Sequence, residues 1–139
     1  MIITSKSGLL RFQLTHQEKN FTNKKTINYF KDKFNISDKI MNDYLESFQI
    51  LNGIMLFRKT EFSIKFINNC LDILNDDPKL HTDIYTQNNE KHRHDQSIMS
   101  LLYKHMNGDL IIDDETYFKE GFNSPLSKKY PFWATRKQI

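Results

Sequence analysis

Three short apolar runs of strand character, separated by amphipathic stretches of helical spacing, predict an α/β domain built on a short mixed sheet. The runs are "GLLRFQL" from Gly8 to Leu14, "GIMLFR" from Gly53 to Arg58, and "LII" from Leu110 to Ile112. A chain of 139 residues is the length of one ordinary domain, able to bury about 68–70% of its unfolded surface. One domain spanning 1–139 is therefore expected. Hydrophobic residues make up 38% of the chain, enough to fill a single core.

Each element has its own warrant. Gly8 precedes a run that alternates apolar and polar near its end, the period of a strand. In "FTNKKTINYFKDKF", Ile27, Phe30 and Phe34 recur at intervals of three and four, so a helix follows, with Thr22 as its expected N-cap and Phe21 covering the first turn. Ser37 opens a second short helix, with Ile40, Met41, Tyr44 and Leu45 on one face. "ILNGIMLFRK" is too short and too continuously apolar for a helix, and reads as a buried strand over Gly53 to Arg58 preceded by a bend at Asn52-Gly53. From Thr60 to about Asn75 a third helix carries Phe66, Ile67, Cys70, Leu71 and Leu74 as its core stripe, and Pro78 stops it. "KLHTDIYTQNNEKH" is polar and aperiodic, a long loop of the kind that carries function. Asp95 then stands where an N-cap is expected, ahead of Ile98, Leu101, Leu102 and His105. A turn at Asn107-Gly108 leads to the last strand, and the rest of the chain forms an irregular, aromatic C-terminal tail.

Composition excludes several function classes. The net charge of +3 comes from scattered lysines such as Lys24-Lys25 and Lys128-Lys129, with no basic arm for nucleic acid. Cys70 is the single cysteine; it cannot close an internal disulfide and is expected in the core of a protein from a reducing compartment. No run approaches ~18 consecutive apolar residues, and "MIITSKSGLL" has no secretory pattern, so a cytoplasmic chain without a membrane span is expected. A three-stranded sheet leaves an exposed edge that invites a homo-oligomer or another partner.

The densest chemistry lies in "KHRHDQSIMSLL", Lys91 to Leu102. His92 and His94 by themselves are too few for zinc, which takes three or four ligands, and the chain offers neither a cysteine pair nor HExxH. As a helix start the stretch accounts for Asp95, whose carboxylate suits the positive end of a helix dipole. Capping does not account for Arg93, His94 and Gln96 gathering at the same point. Carboxylate, amide, imidazole and guanidinium together are the groups that grip a polyhydroxylated ligand. "IIDDET" adds Asp113, Asp114 and Glu115 at a strand end, and Trp133 in "YPFWATR" is a core plug or an aromatic platform for a sugar ring.

Taken in order, "RFQL", "GIMLFRKTEF", "HRHDQSIMSLL", and "DDETYF" with "KYPFWATR" resemble the C-terminal half of glycosyltransferase-like proteins of the GT-A, nucleotide-diphospho-sugar transferase fold. These occur in surface-polysaccharide gene sets and large DNA viruses. The resemblance implies a partial, Rossmann-like three-layer domain equivalent to the acceptor-side half of such an enzyme. It implies Asp95 and Gln96 as catalytic candidates lining the sugar pocket, Asp95 holding a hydroxyl or acting as base and Gln96 facing the anomeric carbon. Asn52, Gly53, Arg93, His94, Asp114 and Trp133 follow as substrate-binding candidates. The implied partners are a nucleotide sugar and a glycan or polysaccharide acceptor.

The chain departs from that pattern in ways that bear on function. Retaining relatives read Asn-Ala-Gly where this chain reads Leu51-Asn52-Gly53, have Trp in the place of Phe21, and carry Asn where His92 stands. The nucleotide-binding half and its Asp-x-Asp motif are missing from these residues. A divalent cation, manganese or magnesium, neutralises the donor diphosphate on that motif, and is therefore expected only if a separate N-terminal half supplies it. The implied reaction, glycosyl transfer from a nucleotide sugar to a hydroxyl, is expected to be incomplete or inactive in this chain alone. The alternative is a non-catalytic remnant that binds a carbohydrate or a protein.

Overall fold

Strand and helix alternate along the chain as the periodicities require. The computed structural model describes residues 5–109, 111–113, 125 and 127–129. Strand β1 (Leu9–Gln17) is followed by helices α1 (Lys24–Phe34) and α2 (Asp38–Glu46), strand β2 (Phe48–Phe57), helix α3 (Glu61–Asp76), helix α4 (His94–His105) and the short strand β3 (Ile111–Asp113). Among the described residues the fold is mixed α/β: four α-helices on a small sheet of order β2-β1-β3, with β1 antiparallel to β2 and parallel to β3. Asp114 and Trp133, with most of the expected tail, lie outside the described residues.

One core joins every layer. Leu9 of β1 and Ile50 of β2 meet Phe30 of α1, Met41 of α2, Phe66 and Ile73 of α3, and Ile98, Leu101 and Leu102 of α4. Of the α4 residues expected on the inner face, Ile98, Leu101 and Leu102 are buried and His105 is half-buried. Leu80, in the single turn Pro78–His81 that begins the long loop, is also wholly buried; nothing in its polar neighbourhood marks it as a core residue.

The ends of the helices follow from capping chemistry, with two corrections. Ser37 caps α2 and Thr60 caps α3, the latter in a reciprocal box with Ser63. The cap of α1 is Asn23, whose side chain accepts from Thr26 N at 2.9 Å. Thr22, expected in that role, instead donates its hydroxyl to Glu18 at 2.7 Å, because a buried carboxylate is a stronger acceptor to satisfy than one free amide. At α4 the cap position is Arg93, with no side-chain cap, and Asp95 falls inside the first turn. His94 opens that helix at φ +45°, a left-handed backbone that costs a non-glycine residue of order 1 kcal/mol or more.

The core stripe expected on α3 is also corrected. Phe66 is buried and Cys70 half-buried, but Ile67, Leu71 and Leu74 are exposed, and Ile73 faces inward in their place. Two apolar rows run along this helix, and contact with Leu9 and Leu101 selects the one holding Phe66 and Ile73. Burial pushes the Cys70 thiol up to about 11, which fits a packing role rather than a nucleophile.

The expected bend at Asn52-Gly53 is not the start of a strand. It is a bulge within β2. Leu10 pairs with Leu56, yet Phe12 pairs with Leu51, so β2 advances five residues where β1 advances two. The extra residues carry backbone groups that the ladder leaves unpaired, and side chains take them up. That is how the sheet comes to face the start of α4.

Candidate functional site

Asn52 and Asp95 are 43 residues apart in sequence, and the bulge brings them into contact: the Asn52 amide donates from Nδ2 to Asp95 Oδ2. The Asn52 backbone N–H, freed from the ladder, donates to Gln96 Oε1 at 3.3 Å. The neighbouring Leu51 carbonyl accepts from Arg11 Nη2 at 3.1 Å. A strand bulge and a helix N-terminus are thus tied by three side chains, and the sequence-derived residues Asn52, Asp95 and Gln96 form one cluster.

The members differ in what they have left to offer. Gln96 is committed at both ends, accepting from Asn52 and donating through Nε2 to Gln49 Oε1 at 2.8 Å. Asp95 is exposed, in the first turn of α4, and its second oxygen has no partner among the described residues. That oxygen can accept a hydrogen bond from an incoming hydroxyl. Gly53, exposed on the bulge beside Asn52, leaves the approach without a side chain.

Arg93 and His94 point elsewhere. The Arg93 guanidinium lies 3.8 Å from the centre of the Phe21 ring, a cation–π contact, and also donates to Gln49 Oε1 at 3.2 Å. His94 Nε2 is 3.0 Å from Asp83 Oδ1. His92 is buried, with Nε2 2.8 Å from the Leu80 carbonyl. Since a carbonyl only accepts, Nε2 carries the proton and Nδ1 is left bare, buried and unpartnered. Burial in turn holds the His92 imidazole below its ordinary range. Each histidine therefore serves the loop before α4, not the Asp95 cluster.

Behind the cluster lies a polar network that sequence reasoning missed. Glu18, wholly buried, accepts from Thr22 at 2.7 Å, Gln49 at 2.9 Å, Lys104 at 2.7 Å, and Ser100. Gln49 links it to Gln96 and Arg93. The only trace in the sequence is phase, and only at Arg11, which stands two residues after the inward-facing Leu9; Gln49 has none, since its neighbour Ile50 belongs to the opposite face. Glu18 has no such marker, because its partners come from β2, α4 and its own turn.

Phe21 also borders a cavity of about 900 Å³, whose walls include His16, Lys24, Phe48 and Lys91. Asn52, Asp95 and Gln96 do not line it. Its charged groups do not converge: Lys19 is tied to Glu46 at 2.8 Å, and Lys91 lies over the Phe21 ring at 5.6 Å. The Asp95 cluster, built from two elements and braced from below, is the better-defined site.

Among the described residues, no group of three histidine, cysteine, aspartate or glutamate side chains could hold a metal ion. No helix among these residues is long and apolar enough to cross a membrane. Comparison with protein-family models, with curated proteins and with solved structures finds no match to this chain.

Proposed function

We infer that this chain is a carbohydrate-handling domain of the GT-A glycosyltransferase kind, its hydroxyl-binding group being Asp95. The observation that carries the reading is the meeting of Asn52 with Asp95. One carboxylate oxygen is held by the Asn52 amide, and the other, on an exposed residue, has no partner among the described residues. A carboxylate fixed on one side and open on the other is suited to accept from a sugar hydroxyl, or to take its proton in glycosyl transfer. Asn52 and Gln96 act in this reading as positioning residues, because their amides are engaged with each other's elements and with Gln49. The resemblance of "HRHDQS" and "GIMLFRK" to the acceptor-side half of GT-A enzymes supports the same assignment. Donor binding and the cation belong to a nucleotide-binding half.

The non-catalytic alternative draws support from Gln96. A glutamine with both ends bonded within the protein is not free to face an anomeric carbon, so a domain that only binds a glycan accounts for the geometry equally well. Both readings place the ligand at Asp95.

The test is a titration followed by the NMR signals of the Asn52 side-chain amide and the Asp95 backbone amide. Free monosaccharides and oligosaccharides are expected to shift both signals with dissociation constants of order 1 mM, and Asp95→Asn to abolish the shift. Uridine and guanosine diphospho-sugars, with or without manganese, are expected to bind no more tightly than the free sugars. Release of nucleoside diphosphate from them would favour the enzyme over the binder. Silence of both signals at about 50 mM sugar would sink the assignment of a carbohydrate site.

A further inference from the structure

Two bulges interrupt the pairing of β1 with β2, and the second stands at the cavity beside Phe21. Gln13 pairs with Ile50 but Gln17 with Phe48, so β1 advances four residues where β2 advances two. The surplus chain carries Thr15 and His16 to the wall of the cavity, whose volume is about 900 Å³, within the range of about 300–1,000 Å³ usual for small-ligand sites. Bulges are favoured next to binding sites because they re-aim side chains without ending the strand. The other walls hold Phe48 at the head of β2, Asn20 in the turn before α1, and Asn89 in the loop before α4.

What the cavity can bind follows from which of its groups are already engaged. Lys19 is tied to Glu46 at 2.8 Å and Lys91 lies over the Phe21 ring. Glu90 accepts from the Gln87 backbone N–H at 3.2 Å, and Gln17 donates to the Glu46 carbonyl at 3.3 Å. By contrast, the side chains of Thr15, His16, Asn20, Asn89 and Lys24 have no hydrogen-bond or ion-pair partner among the described residues. Four of these five are hydroxyl, amide or imidazole. The aromatic groups divide in the same way. Phe21 is occupied by Arg93, Lys91 and His16, whereas Phe48 is 44% exposed and its ring meets no other ring or cation among the described residues.

An open aromatic face beside uncommitted amides matches a sugar ring. The apolar C–H face of the sugar covers the aromatic ring, and its hydroxyls, which both donate and accept, meet amides that do the same. A phosphate or a sugar nucleotide calls for several converging cations, and Lys24 alone does not supply them. We propose that this cavity is a second glycan-binding site, in which a neutral sugar ring stacks on Phe48 and bonds through its hydroxyls to Asn20 and Asn89. It shares no residue with the Asp95 cluster, so the inference stands or falls independently of the proposed function.

The side-chain amide signals of Asn20 and Asn89, followed by NMR while maltohexaose or cellohexaose is added to the 139-residue chain, test it. Both signals are expected to shift with a dissociation constant of order 1 mM, and Asp95→Asn to leave these shifts in place. Phe48→Leu, which keeps apolar bulk without the ring, is expected to weaken binding roughly three- to tenfold. Asn89→Ala, a change in an exposed loop that keeps the test valid should Phe48→Leu fail to fold, is expected to weaken it by a similar factor. Silence of both amides at about 20 mM sugar, or binding indifferent to Phe48→Leu and Asn89→Ala, overturns the proposal. Shifts produced by inorganic phosphate at lower concentration than by either neutral sugar overturn it in favour of an anion site. Loss of the shifts in Asp95→Asn overturns the separateness of the two sites.

Discussion

Lys104 Nζ stands 2.7 Å from Glu18 Oε2, and both side chains are almost entirely removed from solvent. Burial pulls the Lys104 ammonium below its ordinary range, and the Glu18 carboxylate opposes that pull. Breaking a buried pair by removing one charge strands the other at a cost of about 3–5 kcal/mol. Glu18→Gln should lower the unfolding free energy by about 3 kcal/mol in urea titrations, whereas Glu18→Gln with Lys104→Met should recover a good part of the loss. A single-variant loss below about 1 kcal/mol would mean that Lys104 simply swings out to water.

His92 makes the fold sensitive to acid. Its imidazole is held below the ordinary value of 6.5 by burial, and the proton it would gain must go to Nδ1, which is buried without a partner. The folded state then binds fewer protons than the unfolded state, so this contribution is present above about pH 6.5 and is lost as pH falls through the lower folded value. His81 and His105 are lowered by burial in the same direction. Denaturation midpoints should drop between pH 7 and pH 5, and His92→Gln, which keeps an N–H for the Leu80 carbonyl, should flatten the drop. Equal slopes for the two proteins would remove His92 from the account.

Arg11 is wholly buried beneath the Phe66 and Tyr103 rings, at 5.6 and 5.4 Å, and its Nε and Nη1 have no hydrogen-bond partner. Burial brings its pKa down to about 10. A cation so placed costs more than its two bonds to Leu51 and Asn52 return. Arg11→Met, similar in length and apolar, should match the wild type or exceed it by up to about 2 kcal/mol. A clear loss of stability would instead assign Arg11 the work of holding the β2 bulge.

Asp95 contributes little to folding by position alone. An exposed carboxylate in the first turn of a helix is worth about 0.3–1 kcal/mol. Asp95→Asn should therefore change the unfolding free energy by no more than about 1 kcal/mol while removing the sugar-dependent shifts. Destabilisation well beyond that would make the Asn52 contact a structural clasp and weaken the carbohydrate assignment.

Much of this could be read from the residues in order, and the reason is locality. A period of two or of 3.6, a proline after a helix, and a serine or threonine before one are decided within a few positions, so the sequence by itself determined the succession of elements and the capped starts of α2 and α3. The two apolar rows of α3 have equally helical spacing, and only contact with Leu9 and Leu101 chose Phe66 and Ile73 for the interior. In the same way, "HRHDQS" announced a polar cluster, but which of its members stay available depended on partners far away in sequence. The β2 bulge turned Asn52 toward Asp95 and drew Gln96 inward, while Phe21 and Asp83 drew Arg93 and His94 aside. Burial and long-range pairing belong to the folded chain as a whole, and tertiary structure alone decided them.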